Sequence, residues 1–363
     1  MSGTSLDGID CVLVDLHHTA FTLVLARCTP YPSKLQKQLW RMLNQGCASF
    51  VELGEMNVEL GECYADACLN LLKKGGISPS DVIAIGCHGQ TLYHSPHGRK
   101  PFTWQLGDAN VLHTNTSIPV VSDFRGMDVA LGGEGAPLAP GFHAVYFSHP
   151  LEDRAVVNIG GIANITQLYT NKKVLGFDTG PGNGLMNQWM QKHFELPCDK
   201  DGQMANSHPY DQALLSVLLQ DPYFKQLPPK STGNEYFNLT WLNNHLKAIS
   251  KPLAPPVVLS TLCQLTAHTI TLGIHSESFS PKGIYICGGG AHNTALMKRL
   301  SQLNPDLTVQ STASVGLDPD WVEAVTFAWL AKCRLSKEPA NLPSVTGAKH
   351  QSMLGSVLNS SSR

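Results

Sequence analysis

One arrangement constrains this chain more than any other: an apolar strand attached to a Gly-rich turn, present once in each half. The first copy is SGTSLDGIDCVLVDL and the second is VVNIGGIANITQLY. A turn rich in glycine brings main-chain N–H groups close to whatever it faces, because no Cβ stands in the way. Two such units suggest duplicated halves facing each other across a cleft. The rest of the sequence alternates strand and helix signals, which predicts an α/β fold. Strand candidates are CVLVDL, TLVLARC, VIAIGCHG, IPVVSDF, RAVVNIGG, ANITQLY, KVLGFD and GIYICGGG. Helical spacing is read over 34–44, 51–73, 184–194, 210–219, 261–277, 291–302 and 320–335, and a Gly-Gly pair at 75–76 stops the second of these. The Gly- and Pro-rich stretch 124–142 is the expected crossover between halves.

Composition narrows the function classes. With 363 residues, 42% hydrophobic and 15% charged, the chain has material for two well-buried domains. A net charge of −2 with scattered Lys and Arg argues against a nucleic-acid or anionic-membrane surface. No apolar run approaching the roughly 20 residues of a membrane span is read, nor a signal peptide before the first motif. The 10 cysteines are dispersed without a C-x-x-C, which speaks against zinc and predicts buried, reduced thiols in a cytoplasmic protein.

Three Gly-rich motifs could carry chemistry. Gly3-Thr4-Ser5-Leu6-Asp7-Gly8 lacks the Gly-Lys-Ser/Thr of a P-loop and runs into a strand, Ile9-Asp10 onward. It offers a phosphate site on a hairpin turn, but taken alone it reads first as an ordinary turn. Gly176-Phe177-Asp178-Thr179-Gly180-Pro181-Gly182-Asn183-Gly184 places a carboxylate beside a Gly-rich helix start, where an anion is favoured. Ile284-Tyr285-Ile286-Cys287-Gly288-Gly289-Gly290-Ala291-His292-Asn293 is open to a ring or phosphate lying on the backbone, or to close helix–strand packing. Polar groups elsewhere include Cys87-His88-Gly89-Gln90-Thr91 and Asp123-Phe124-Arg125, whose guanidinium fork suits a carboxylate. Glu323 lies on an amphipathic helix where exposure is the default, and Ser231-Thr232-Gly233-Asn234-Glu235 is a loop of open function.

Together the Gly-rich turns resemble the phosphate-1, phosphate-2 and adenosine arrangement of the actin, sugar-kinase and Hsp70 superfamily. Eight strings in order, MSGTSLDGID, GCHGQT, DFRGMDVALGGEGAPLAP, NIGGIANIT, GFDTGPGN, STGNEYFN, CGGGAHN and VTGA, make the chain similar to the anhydro-N-acetylmuramic acid kinases over nearly its whole length.

That resemblance implies two ribonuclease-H-like, actin-type ATPase lobes facing across a cleft. Lobe I would be 1–127 rejoined by 340–363, and lobe II 128–339. It implies ATP and Mg2+ as cofactors and 1,6-anhydro-N-acetylmuramic acid as the small-molecule substrate. The product would be N-acetylmuramic acid 6-phosphate, in peptidoglycan recycling and amino-sugar catabolism. By the family pattern Asp178 is the general base and Glu323 a second acid near the sugar. ATP would be held by residues 3–10 (Gly3, Thr4, Ser5, Leu6, Asp7, Gly8, Ile9, Asp10) with Gly161, Gly180, Gly182, Asn183, Gly288, Gly289, Gly290 and Asn293. Asp7 would reach the metal through water. His88, Gln90, Arg125, Asp178 and Glu323 would line the sugar, with Arg125 on its lactyl carboxylate. A homodimer is also implied.

The family carries several residues before the MSGTSLDG string, forming the first half of its hairpin. Here the sequence starts at the turn, so the expectation is a fragment, a misplaced start, or a copy that binds ATP weakly. Two other readings compete. One is a plain hydroxyl sugar kinase; the other is a truncated, non-catalytic nucleotide-binding module.

Overall fold

The computed structural model describes residues 1–3, 6, 8–17, 20–275 and 279–359. The expectations for Thr4, Ser5 and Asp7, the water-mediated metal contact of Asp7 included, lie outside the described residues. The chain forms two compact units, Met1–Tyr146 with Glu323–Arg363, and Phe147–Val322. The sequence suggests divisions at 127/128 and 339/340; the contacts divide at 146/147 and 322/323.

The first unit opens with strands β1 (Ile9–His17) and β2 (Ala20–Thr29), paired antiparallel with a bulge between Leu13 and Val14. Two helices follow, Ser33–Gln45 and Phe50–Gly75. A capping box between Ser49 and Glu52 starts the longer one, and Gly76, at φ +66°, stops it where the glycine pair implied. Its Met56, Leu60 and Tyr64 lie on one face and pack with Ile9, Leu35, Leu39 and Met42.

β3 (Ile85–Gly86) and β6 (Val120–Ser122) pair in parallel, and β4 (Gln90–Ser95) and β5 (Phe102–Leu106) form a separate hairpin absent from the strand candidates. The predicted strand VIAIGCHG shrinks to two residues. Ile83 stands 83% exposed before it. At the other end Cys87 N still donates to Val121 O at 2.8 Å, and a Cβ on Gly86 would lie 2.2 Å from the Phe327 carbonyl oxygen. The Val322–Leu335 helix therefore presses directly on the β3 backbone.

The second unit is built on β7 (Asp153–Ile159), β8 (Ile162–Leu168), β9 (Val174–Pro181), β10 (Pro281–Cys287) and β11 (Thr308–Ser311). Their order is β11-β10-β7-β8-β9. β7, β8 and β9 form an antiparallel meander, while β10 is parallel to β7 and to β11. That order and polarity are the ribonuclease-H-like pattern expected of the α/β fold. A parallel neighbour for β7 requires a long crossover, which the helices between β9 and β10 supply.

The Pro255–Ile274 helix packs on this sheet and buries Val258, Leu259, Leu262, Leu265 and Ile270 against Val157, Ile165 and Phe177. Each such side chain contributes about 1.5–3 kcal/mol of transfer free energy. The helix corrects two expectations. It begins at Pro255, favoured in a first turn, rather than at 261. It is also long and apolar enough for a membrane span, contrary to the reading above, but 78% of its apolar window is buried inside the protein.

Finally β12 (Ser356–Leu358) returns to the first unit and pairs antiparallel with β6. The cysteines are all free thiols, yet Cys28, Cys47 and Cys198 are exposed rather than buried.

Candidate active site

In the second unit the expected nucleotide motifs meet through main-chain contacts. β7 ends at Ile159 and turns at Gly160–Gly161 into β8. The start of the Asn183–Phe194 helix docks on that turn: Gly182 N and Gly184 N donate to Gly161 O at 3.0 Å each, and Asn183 N to Gly160 O at 2.8 Å. The Asn183 amide donates to Ile159 O at 3.2 Å. A Cβ on Gly182 would stand 2.4 Å from Gly160 O, so glycine is needed for this approach.

The triple glycine divides its labour. Gly288 has φ +74°, and a Cβ on Gly290 would fall 2.3 Å from the Ile159 Cβ, so both serve close packing. Gly289 faces more open space: a Cβ added there would meet only the Asn183 amide nitrogen, at 3.7 Å. Asn293 accepts from Leu296 N at 3.0 Å and caps the Thr294–Leu303 helix, so its side-chain oxygen is engaged. Gly180, at φ +147°, packs toward Phe224.

Asp178 lies on β9 beside this turn, next to a β-bulge. Asn164 pairs with Asp178 and Ala163 with Gly180, leaving Thr179 without an opposite number. Its main chain bonds instead to the 223–232 segment. Asp178 N donates to Lys230 O at 3.1 Å, and the Tyr223 hydroxyl donates to Asp178 O at 2.8 Å. Thr232 N donates to the carboxylate Oδ2 at 2.9 Å. Sequence reasoning missed Tyr223 and Lys230. The one available signal was the STGNE string, whose purpose stayed open.

In the first unit the site residues meet through side chains. Arg125 Nε donates to His88 Nε2 at 3.0 Å and its Nη1 to Gly135 O at 2.7 Å. Burial, then the Arg125 cation, hold the imidazole pKa well below its usual value, so His88 is neutral. Its ring lies 4.5 Å from that of Phe327, one turn along from Glu323. Burial pushes the Glu323 carboxyl above the usual range; Arg125 opposes this and Asp10 adds to it. His88, Arg125, Glu323 and Asp10 therefore form one electrostatic cluster.

Gln90 is 1% exposed, and its side-chain oxygen accepts from the Ser2 hydroxyl, which also contacts the Tyr31 hydroxyl. Leu6 and Ile9 are core side chains, so the loop can offer a ligand only their main chain. Leu6, at φ +53°, donates weakly to Gly3 O at 3.4 Å and accepts from Gln36 at 2.7 Å. A Cβ on Gly8 would lie 2.6 Å from the Cys28 sulfur.

Asp128, fully buried, explains two other strings. It accepts from Asn341, Thr346 and Gly135 N, each at 2.8 Å, and so latches the GGEGAP loop to the VTGA segment. Among the described residues no cluster of three or more His, Cys, Asp or Glu could hold a metal ion.

A family model described as "Anhydro-N-acetylmuramic acid kinase" matches residues 1–360. The chain belongs to the anhydro-N-acetylmuramic acid kinase family. Relatives named anhydro-N-acetylmuramic acid kinase include one from Pasteurella multocida, 45% identical over 98% of this chain and 95% of its own. Another, from Vibrio cholerae, is 46% identical over 98% of this chain and 96% of its own. Among solved structures, a ROK family glucokinase from Streptomyces griseus covers 89% of this chain and 99% of its own at 13% identity and a TM-score of 0.35, too distant to argue from. Membership as an anhydro-N-acetylmuramic acid kinase makes the chain an ATP-dependent sugar kinase, as the resemblance implied.

Proposed function

We propose that this chain phosphorylates O6 of 1,6-anhydro-N-acetylmuramic acid with ATP while water opens the anhydro ring, in recycling of peptidoglycan. In the anhydro sugar O6 belongs to an acetal and carries no proton. The C1–O6 bond breaks, O6 takes the γ-phosphoryl group, and water oxygen bonds to C1. The water's proton passes to Asp178, and the products are N-acetylmuramic acid 6-phosphate and ADP. A well-placed base contributes about 10²–10⁴-fold.

The observation that carries this reading is the placement of Asp178. Its carboxylate is held at a bulge beside the Gly-built start of the Asn183–Phe194 helix, whose dipole favours a phosphate. Gly161 and the dipole of the helix start at Asn183 would face the phosphates, Gly289 would face the adenosine, and a triphosphate contact from the main chain of residues 3–10 belongs to the same proposal. In the other unit Arg125 would pair with the lactyl carboxylate, His88 would position it, and Glu323 would assist the water. Gln90 would shape the sugar pocket from beneath, through Ser2. Mg2+ would ride on the triphosphate and keep most of its waters, which needs one or two protein carboxylates rather than a cage. The two units are read as the two ATPase lobes, and a cytoplasmic homodimer belongs to the same proposal.

The test is turnover of the anhydro sugar with ATP and magnesium in 18O-labelled water. Label at C1 of the 6-phosphate product is the expected result. Phosphorylation without label would indicate a plain hydroxyl kinase, and no product would defeat the reading.

A further inference from the structure

Asp178 is held by a segment, residues 223–232, that the expected motifs reach only at Ser231 and Thr232. At the bulge, β9 leaves the regular ladder, and a bulge both bends a strand and re-aims its side chains. Re-aiming alone would leave the strand end and the carboxylate rotamer under-determined. Residues 223–232 meet that need from three sides: the Lys230 carbonyl takes the Asp178 N–H, the Tyr223 hydroxyl holds its carbonyl, and the Thr232 N–H holds Oδ2.

The holders are themselves fixed. Tyr223 is 4% exposed, and its ring stands edge-on to Phe237 at 5.5 Å. The Lys230 ammonium lies 4.8 Å from the Tyr223 ring centre and donates to Tyr223 O at 3.4 Å, closing the segment on itself. Lys230 is half-buried: burial holds its ammonium below the usual lysine range, and the Asp178 charge opposes that shift.

We propose that Tyr223 and Lys230 are positioning residues that fix the Asp178 carboxylate for proton abstraction, with the Thr232 main chain setting its rotamer. The proposal rests on Asp178 being the base. Misplacing a reacting group by about 1 Å costs on the order of 10²-fold, so the expected signature is a loss in kcat without a loss in nucleotide binding.

Tyr223→Phe deletes only the hydroxyl and carries the test even if a Lys230 variant folds poorly. Turnover of the anhydro sugar would be compared for Tyr223→Phe, Lys230→Met, Lys230→Arg and Asp178→Asn, and for Tyr223→Phe combined with Asp178→Asn. Tyr223→Phe and Lys230→Met are expected to lower kcat about 10–100-fold with KM for ATP and the thermal midpoint unchanged. Lys230→Arg restores most of the rate. In the Asp178→Asn background Tyr223→Phe lowers the residual rate no further, because the two act as one unit. Wild-type kcat in Tyr223→Phe and Lys230→Met beside an inactive Asp178→Asn overturns the positioning role and leaves the base standing. An equal loss from Tyr223→Phe in both backgrounds overturns it too. An active Asp178→Asn removes the base and the positioning role with it.

Discussion

The two units build their candidate site residues from different material. In the Phe147–Val322 unit the candidate residues meet through main chain: Gly160, Gly161 and Gly182 to Gly184 lock together through N–H to carbonyl bonds of 2.8–3.0 Å. In the other unit they meet through side chains, with His88, Arg125 and Glu323 arriving from three separate segments. A main-chain site cannot be altered without altering the fold, because the same atoms do both. A side-chain cluster can be altered while its scaffold remains. The second unit's sheet is also continuous over five strands, whereas among the described residues β1–β2 and β3–β6–β12 are separate sheets.

Asp178→Asn is the exception in the main-chain unit and should give the largest effect. It removes the proton acceptor but keeps the shape, so turnover should fall about 10²–10⁴-fold while nucleotide affinity, measured calorimetrically, holds. Substantial turnover would remove the base assignment. Next comes Gly182→Ala. Its Cβ would meet Gly160 O at 2.4 Å, main chain against main chain, with no flexible side chain to yield. Stability should drop by about 1–3 kcal/mol and nucleotide affinity should fall with it. If melting and binding separate in this variant, main-chain identity of fold and site is wrong.

Arg125→Met probes the other unit. Losing a charged hydrogen bond to a carboxylate is worth about 1.5–3 kcal/mol, roughly 10–100-fold in KM for the sugar. KM for ATP should not change, and the melting midpoint should move less than in Gly182→Ala. A collapse of the fold instead would show that the bond from Arg125 to Gly135 O matters more than any ligand contact.

Legibility in the sequence follows the same division. Glycine patterns are local, so the turn at 160–161, the helix start at 183 and the acid at 178 could be read from neighbouring residues. Strand and helix alternation reaches only the α/β class; the ribonuclease-H-like order is implied by the family resemblance, and the second unit's sheet has it. What could not be read depends on distant segments. Tyr223 reaches a residue 45 positions earlier, and it does so at a bulge that no periodicity marks. His88 and Arg125 are 37 positions apart, each unremarkable alone. The Pro255–Ile274 helix carries Thr, Gln and His among its apolar residues, which hid its length. Asn293 sits in a motif shared with nucleotide sites but is engaged as a helix cap.

The smallest expected effect tests whether the side-chain cluster is coupled at all. The Glu323 carboxyl is raised first by burial and then by Asp10, with Arg125 opposing. A carboxyl whose folded pKa lies above its unfolded one favours the folded state while protonated, and that contribution is lost as pH rises through the folded value. Glu323→Gln abolishes this titration. The melting midpoint of the variant should therefore gain on that of the parent as pH rises through the raised value. Removing Arg125 removes the opposing cation, so the gain should be larger when Glu323→Gln is made in the Arg125→Met background. A difference that stays flat from about pH 4 to 8 in both backgrounds would mean that Glu323 titrates like a solvated acid. The first unit's residues would then be neighbours without forming a coupled site.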